Sequence, residues 1–91
     1  MHAVVVRVTI NDREAATQEL RDDVVPAVSQ APGFVAGYWT RSEDNGNGLS
    51  MIVFESEDAA STVAQMIQSQ MSDDEGVTLE GTEVREVVAS A

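Results

Sequence analysis

Strand-like and helix-like stretches follow one another along this chain in an order that few folds accommodate. Ala3–Ile10 is rich in β-branched residues and alternates along its length as a strand does. A run with amphipathic helical spacing follows and stops at Ala31-Pro32-Gly33. Phe34–Arg41 and Leu49–Glu55 are again strand-like and flank a Gly/Asn-rich turn. A second helical stretch and a last alternating run, Thr78–Val88, complete the sequence. The order β-α-β-β-α-β in 91 residues is that of a split βαβ unit. It predicts one four-stranded antiparallel sheet with both helices on one face. The other face is left bare and needs a partner.

Local chemistry agrees with this order. In the first strand Val4, Val6, Val8 and Ile10 share one side and should meet the helices. Ala3, Val5, Arg7 and Thr9 share the other, a mixed set suited to a partner or a cavity. Asn11 or Asp12 caps the first helix, and Asn11 with Glu14 has capping-box spacing. Ala16, Leu20, Val24, Ala27, Val28 and Ala31 form its apolar stripe. Pro26 removes one helical hydrogen bond, which predicts a kink or break around Asp22–Val25 and a short second piece reaching Gln30. The two Asn-Gly pairs in Ser42–Gly48 favour the positive φ that a hairpin turn needs. Ser56 is a good N-cap for the second helix, followed by Glu57 and Asp58 at its positive end. Ala59, Ala60, Val63, Met66, Ile67 and Met71 make its apolar stripe. Ser72–Gly76 reads as an acidic loop, and Gly81 as the site of a bulge or irregular start in the last strand.

Composition narrows the function. A chain of this length forms one domain, residues 1–91, and buries only roughly 60–65% of its unfolded surface, so a second subunit adds useful burial. The net charge is −11, with 16 acidic residues against five Arg and no Lys. Nucleic acid and anionic membrane surfaces are therefore excluded as partners. The acidity serves solubility or a docking surface for a basic partner. No apolar run is long enough for a transmembrane helix, and Met1-His2-Ala3 leads straight into the first strand without a secretory leader. Cysteine is absent, which removes thiolate chemistry and fits a reducing cytoplasm.

Two short passages, Pro32-Gly33-Phe34 and Phe54-Glu55-Ser56-Glu57-Asp58-Ala59, resemble the dimeric α/β-barrel superfamily, and its antibiotic-biosynthesis monooxygenase-like branch in particular. The resemblance extends over nearly the whole order of elements. It implies a ferredoxin-like α+β domain that pairs as a homodimer, two bare sheet faces meeting as a barrel, with a pocket in each subunit between sheet and helices. Activities in the superfamily include cofactor-independent oxygenation of polycyclic phenols and quinols, haem degradation, isomerisation and dehydration. Many members carry a His in the second helix. Here the equivalent stretch is Ser61-Thr62-Val63-Ala64. The single His, His2, stands at the start of a strand, which argues against the axial ligand a haem-degrading member needs. The resemblance thus implies a cofactor-free monooxygenase acting on a small aromatic or quinone-like compound, with a non-catalytic small-ligand-binding or interaction module as the alternative.

The candidate site residues each carry two readings. Tyr38 and Trp39 point to opposite sides of one strand; one stacks on an aromatic ligand, or the pair fills core and subunit interface. Arg7 and Arg41 are placed near the bare face, where an Arg binds an anionic oxygen or pairs with Glu83 or Glu86 across subunits. Asn11, at the strand–helix junction, hydrogen-bonds a substrate carbonyl or caps the helix. His2 serves as a base or is simply exposed. Asp73, Asp74 and Glu75 lack the spacing of a calcium loop and read as a solvated loop.

Overall fold

The structure, a computed structural model, describes residues 1–44, 46–71 and 76–91, the side chains of residues 70 and 71 excepted. Its elements are β1 (His2–Ile10), α1 (Arg13–Glu19), a π-helical turn (Leu20–Val24), α2 (Val25–Ser29), β2 (Phe34–Arg41), β3 (Asn47–Phe54), α3 (Glu57–Met71) and β4 (Val77–Glu86). All three ladders are antiparallel and the strand order is β2-β3-β1-β4. This is the ferredoxin-like α+β arrangement that the order of elements predicts. The acidic loop expected before Gly76, with Asp73, Asp74 and Glu75, lies outside the described residues, as does the Met71 side chain.

The helices cover the face made by Val4, Val6 and Val8 of β1, Ile52 and Phe54 of β3, Trp39 of β2, and Leu79 and Val84 of β4. From α3 come Ala60, Val63, Ala64 and Ile67, and from α2 Val28, all buried. Phe34 meets Phe54 edge to face, ring centroids 6.1 Å apart. Full burial of side chains such as Phe54, Ile52 and Val4 stabilises the fold by about 1.5–3 kcal/mol each. Two glycines shape this layer. Gly33 turns the chain from α2 into β2 at φ +84°, a conformation that side chains resist. At Gly37 a Cβ would come within 2.6 Å of the Trp39 ring, so the indole lies across a strand position that has no side chain.

The first helical segment breaks where Pro26 requires it. Pro26 has no N–H for the Asp22 carbonyl, and the Val25 N–H reaches back five residues to the Leu20 carbonyl, making the π turn. That wider turn rotates the helix beyond it. Val28 becomes fully buried, whereas Ala27, expected on the apolar stripe, is exposed. Asp12 caps α1, its carboxylate accepting from the Glu14 and Ala15 amides at 3.1 and 3.2 Å. Asn11 lies one residue too early for that role. Its side-chain amide donates to the Thr78 hydroxyl at 2.7 Å. Ser56 caps α3 as expected, accepting from the Ala59 amide at 3.2 Å.

Strand ends differ by one or two residues from expectation. β1 begins at His2, β3 spans Asn47–Phe54 and not Leu49–Glu55, and β4 spans Val77–Glu86 and not Thr78–Val88. Val88 is 88% exposed. Beside Gly81 the β1–β4 register shifts, so that Arg7 faces Gly81 and Val8 faces Leu79. The extra residue, Glu80, turns its carboxylate to the Thr9 hydroxyl, 2.7 Å away.

Among the described residues no helix covers the opposite face of the sheet. Ladder register places Tyr38, Met51, Val5 and Glu83 in one row across it, and Thr40, Leu49, Arg7 and Gly81 in the next. Val5 is buried between its neighbours, but Tyr38 is 68% exposed, and Met51 and Leu49 are each about half exposed. Arg7 pairs at 3.6 Å with Glu83 of its own chain, and Arg85 reaches the same carboxylate at 3.0 Å. Arg41 does not belong to this face. It shares strand parity with Gly37 and Trp39, and so stands on the helix side.

Candidate functional site

α1 and the π turn stand off the sheet, and neither contributes a buried residue. Between them and the strands lies a cavity of about 520 Å³. Its floor is Val6, Val8 and Ile10 of β1 with Ile52 of β3. Trp39 forms one wall, and Ala16, Leu20 and Val24 from the helical segment form the roof. The size and apolar lining are those of a small-molecule site.

Polar groups gather at particular points of this lining. Ser50 lies opposite Trp39 and Val6 in the ladders and faces the cavity. Neither its hydroxyl nor the Trp39 indole N–H bonds to another described residue. At the mouth, the Arg41 guanidinium donates to the Thr17 hydroxyl at 3.2 Å, and Thr17 donates to the Arg13 carbonyl at 2.9 Å. This chain fixes one edge of the guanidinium and leaves its other N–H groups for a ligand. Glu19 and Arg21 complete the polar rim.

The candidates named from the sequence therefore separate. Trp39 and Arg41 line the cavity, whereas Tyr38 and Arg7 occupy the uncovered face on the far side of the sheet. Asn11 is held by Thr78 and is not part of the lining. His2 sits at the end of β1, its Nε2 3.4 Å from a Glu57 carboxylate oxygen, away from the cavity. Thr17, Arg21 and Ser50 were missed. Ser50 had a signal in the sequence, since it alternates with Ile52 and Phe54 on the apolar side of β3. Arg21 had none, because it reads as wet-side helix and only the height of the helix above the sheet sets its stripe at the cavity rim. Among the described residues no cluster of His, Cys, Asp and Glu is arranged to hold a metal ion, and no helix is long and apolar enough to cross a membrane.

No family model matches the sequence, and no curated protein matches it. Solved structures do match the fold. SnoaB, a cofactor-independent oxygenase from Streptomyces nogalater, is similar at a TM-score of 0.72 and 17% identity, over 98% of this chain and 94% of that one. A monooxygenase from the gene ActVA-Orf6 of Streptomyces coelicolor, solved with the ligand nanaomycin D, is similar at 0.62 and 17%, over 99% and 92%. A dimeric ferredoxin-like protein from an uncultured marine organism is similar at 0.62 and 8%, over 100% and 98%. Such low identities speak to architecture and not to chemistry. The chain has the ferredoxin-like α+β fold, in a form it shares with SnoaB and the ActVA-Orf6 monooxygenase.

Proposed function

We propose that this protein is a cofactor-independent monooxygenase of a small aromatic or quinone-like compound, working as a cytoplasmic homodimer. The observation that carries the reading is the cavity of about 520 Å³, apolar on floor and roof, with Trp39 as a flat wall and the tethered Arg41 at its mouth. A polycyclic phenol with an activated ring CH2 fits this chemistry. Loss of one CH2 proton to water leaves a delocalised carbanion with its negative charge largely on the phenolic oxygen. The Arg41 guanidinium stabilises that oxygen at the cavity mouth. The carbanion then adds to O2, forming a C–O bond, and takes up one proton to give a hydroperoxide. Loss of the remaining C–H proton with cleavage of the O–O bond releases water and leaves a carbonyl. In sum, CH2 plus O2 gives C=O plus H2O. The four electrons come from the substrate carbon, so no separate reductant is needed.

Pairing is supported by the uncovered sheet face. Tyr38, Met51 and Leu49 form an exposed apolar patch there, of the kind that promotes association. The similar ferredoxin-like protein from a marine organism is dimeric. The cysteine-free composition fits a reducing compartment.

The test is oxygen uptake with a tricyclic phenol bearing a ring CH2. Uptake with one carbonyl formed per O2 is expected, and Arg41→Gln should lower the rate at least about tenfold while leaving the unfolding midpoint in place. A second reading, a binder without catalysis, draws on the cavity lining, in which Glu19, at the rim, is the single carboxylate among the described residues. Tight binding with no uptake would select it.

A further inference from the structure

The distribution of positive charge on this protein is uneven. Of the five arginines, Arg7 and Arg85 lie on the uncovered face and share Glu83. The other three, Arg13, Arg21 and Arg41, converge on one groove that runs outward from the cavity mouth, and none of them forms an ion pair among the described residues. Residues 13, 17 and 21 follow at intervals of four along one stripe of the helical segment. Arg41 docks on Thr17, the middle position. Arg13 and Arg21 are thereby separated by about 12 Å of helix rise along one stripe, with Arg41 docked at the position between them, beside an otherwise apolar chamber.

We infer that this row is a carboxylate subsite: the ligand places its ring system in the cavity and a carboxylate on Arg21 and Arg41, with Arg13 extending the row outward. The inference rests on the reading of the cavity as a site for aromatic compounds, and it names a further property of the ligand. A net charge of −11 repels anions over most of the surface, so a local row of cations selects where one lands. The groove also contains Asp12, Glu14 and Asp22. Asp12 is engaged by the helix amides. Glu14 and Asp22 lie on the adjacent stripe, and their charges favour a monoanion over a phosphate dianion. A planar carboxylate also matches the guanidinium fork in two parallel hydrogen bonds.

The test compares anthraquinone-2-carboxylate with its methyl ester by calorimetry at low salt. Trp39, the single Trp and a cavity wall, reports occupancy by its emission. The acid should bind roughly five- to tenfold more tightly than the ester, a preference that fades in high salt. Arg21→Gln should reduce that preference severalfold, weakening the acid far more than the ester, and Arg21→Lys should restore part of it. Equal binding of acid and ester overturns the subsite but leaves the cavity reading standing. A preference undiminished in Arg21→Gln also overturns it. Failure of both compounds to bind, with Trp39 emission unmoved, removes the cavity reading and the subsite together.

Discussion

The two helical segments lie over the same side of one sheet, yet they meet it differently. α3 packs down through Ala60, Val63, Ala64 and Ile67, where alanines alternate with branched residues and allow close approach. α1 and the π turn offer Ala16 and Leu20 across a gap; Val24 packs against the core, and neither element buries a residue completely. The sheet beneath serves both. Val6, Ile52 and Ile67 belong to the closed core and also line the cavity. One continuous apolar layer thus provides stability at one end and a ligand-sized space at the other. The open end exists because the helix above it is interrupted, and not because the strands below it are polar.

The contrast breaks most sharply under truncation. Phe54 has 0% exposure in the closed half, and Phe54→Ala should destabilise the protein by about 3–5 kcal/mol in urea unfolding. Leu20→Ala, in the open half, should cost only about 1 kcal/mol, because few of its atoms have close neighbours to lose. Equal losses would mean that α1 packs as tightly as α3. Gly37→Val comes next. Its side chain must displace the Trp39 ring, and a loss of about 1–3 kcal/mol is expected together with a shift in Trp emission. An unchanged emission would show that the indole does not lie across this position.

The smallest effect belongs to the β2–β3 turn, remote from both halves. The Ser42 hydroxyl, 2.6 Å from the Asp44 carboxylate, lowers the Asp44 pKa, and the Gly46 amide at 2.8 Å adds to this. A pKa depressed by folding gives stability that is present above the unfolded value and is lost as pH falls through the folded one. Ser42→Ala should raise the Asp44 pKa toward the ordinary carboxylate value in an NMR titration and slightly reduce the acid sensitivity of stability below pH ~4. An Asp44 titration identical in the variant would detach it from Ser42.

Much of the fold was legible because strands and helices imprint different periods. The order of elements, the hairpin, the Ser56 cap and the interruption before Pro26 all follow from local chemistry. Less of the site was legible. Tyr38 and Trp39 were separable by parity, but which of them faces the helices depends on the register with β3. Arg41 was placed near the bare face although it shares parity with Trp39; the alternation of Gly37, Trp39 and Arg41 held the correct answer. Asn11 looked like a cap because capping positions shift by one residue when the helix start is read from spacing alone.

Local chemistry therefore determined the sheet, its covered and uncovered faces, and the place where the first helix must break, since each depends on residues a few positions apart. Tertiary structure alone decided that this break would leave a chamber and that Arg21 and Arg41 would meet at its mouth. Those residues lie 20 positions apart, on a helix and a strand. Only the height at which the helix stands above the sheet, with Arg41 docked on Thr17 of the same stripe, brings them to the same rim.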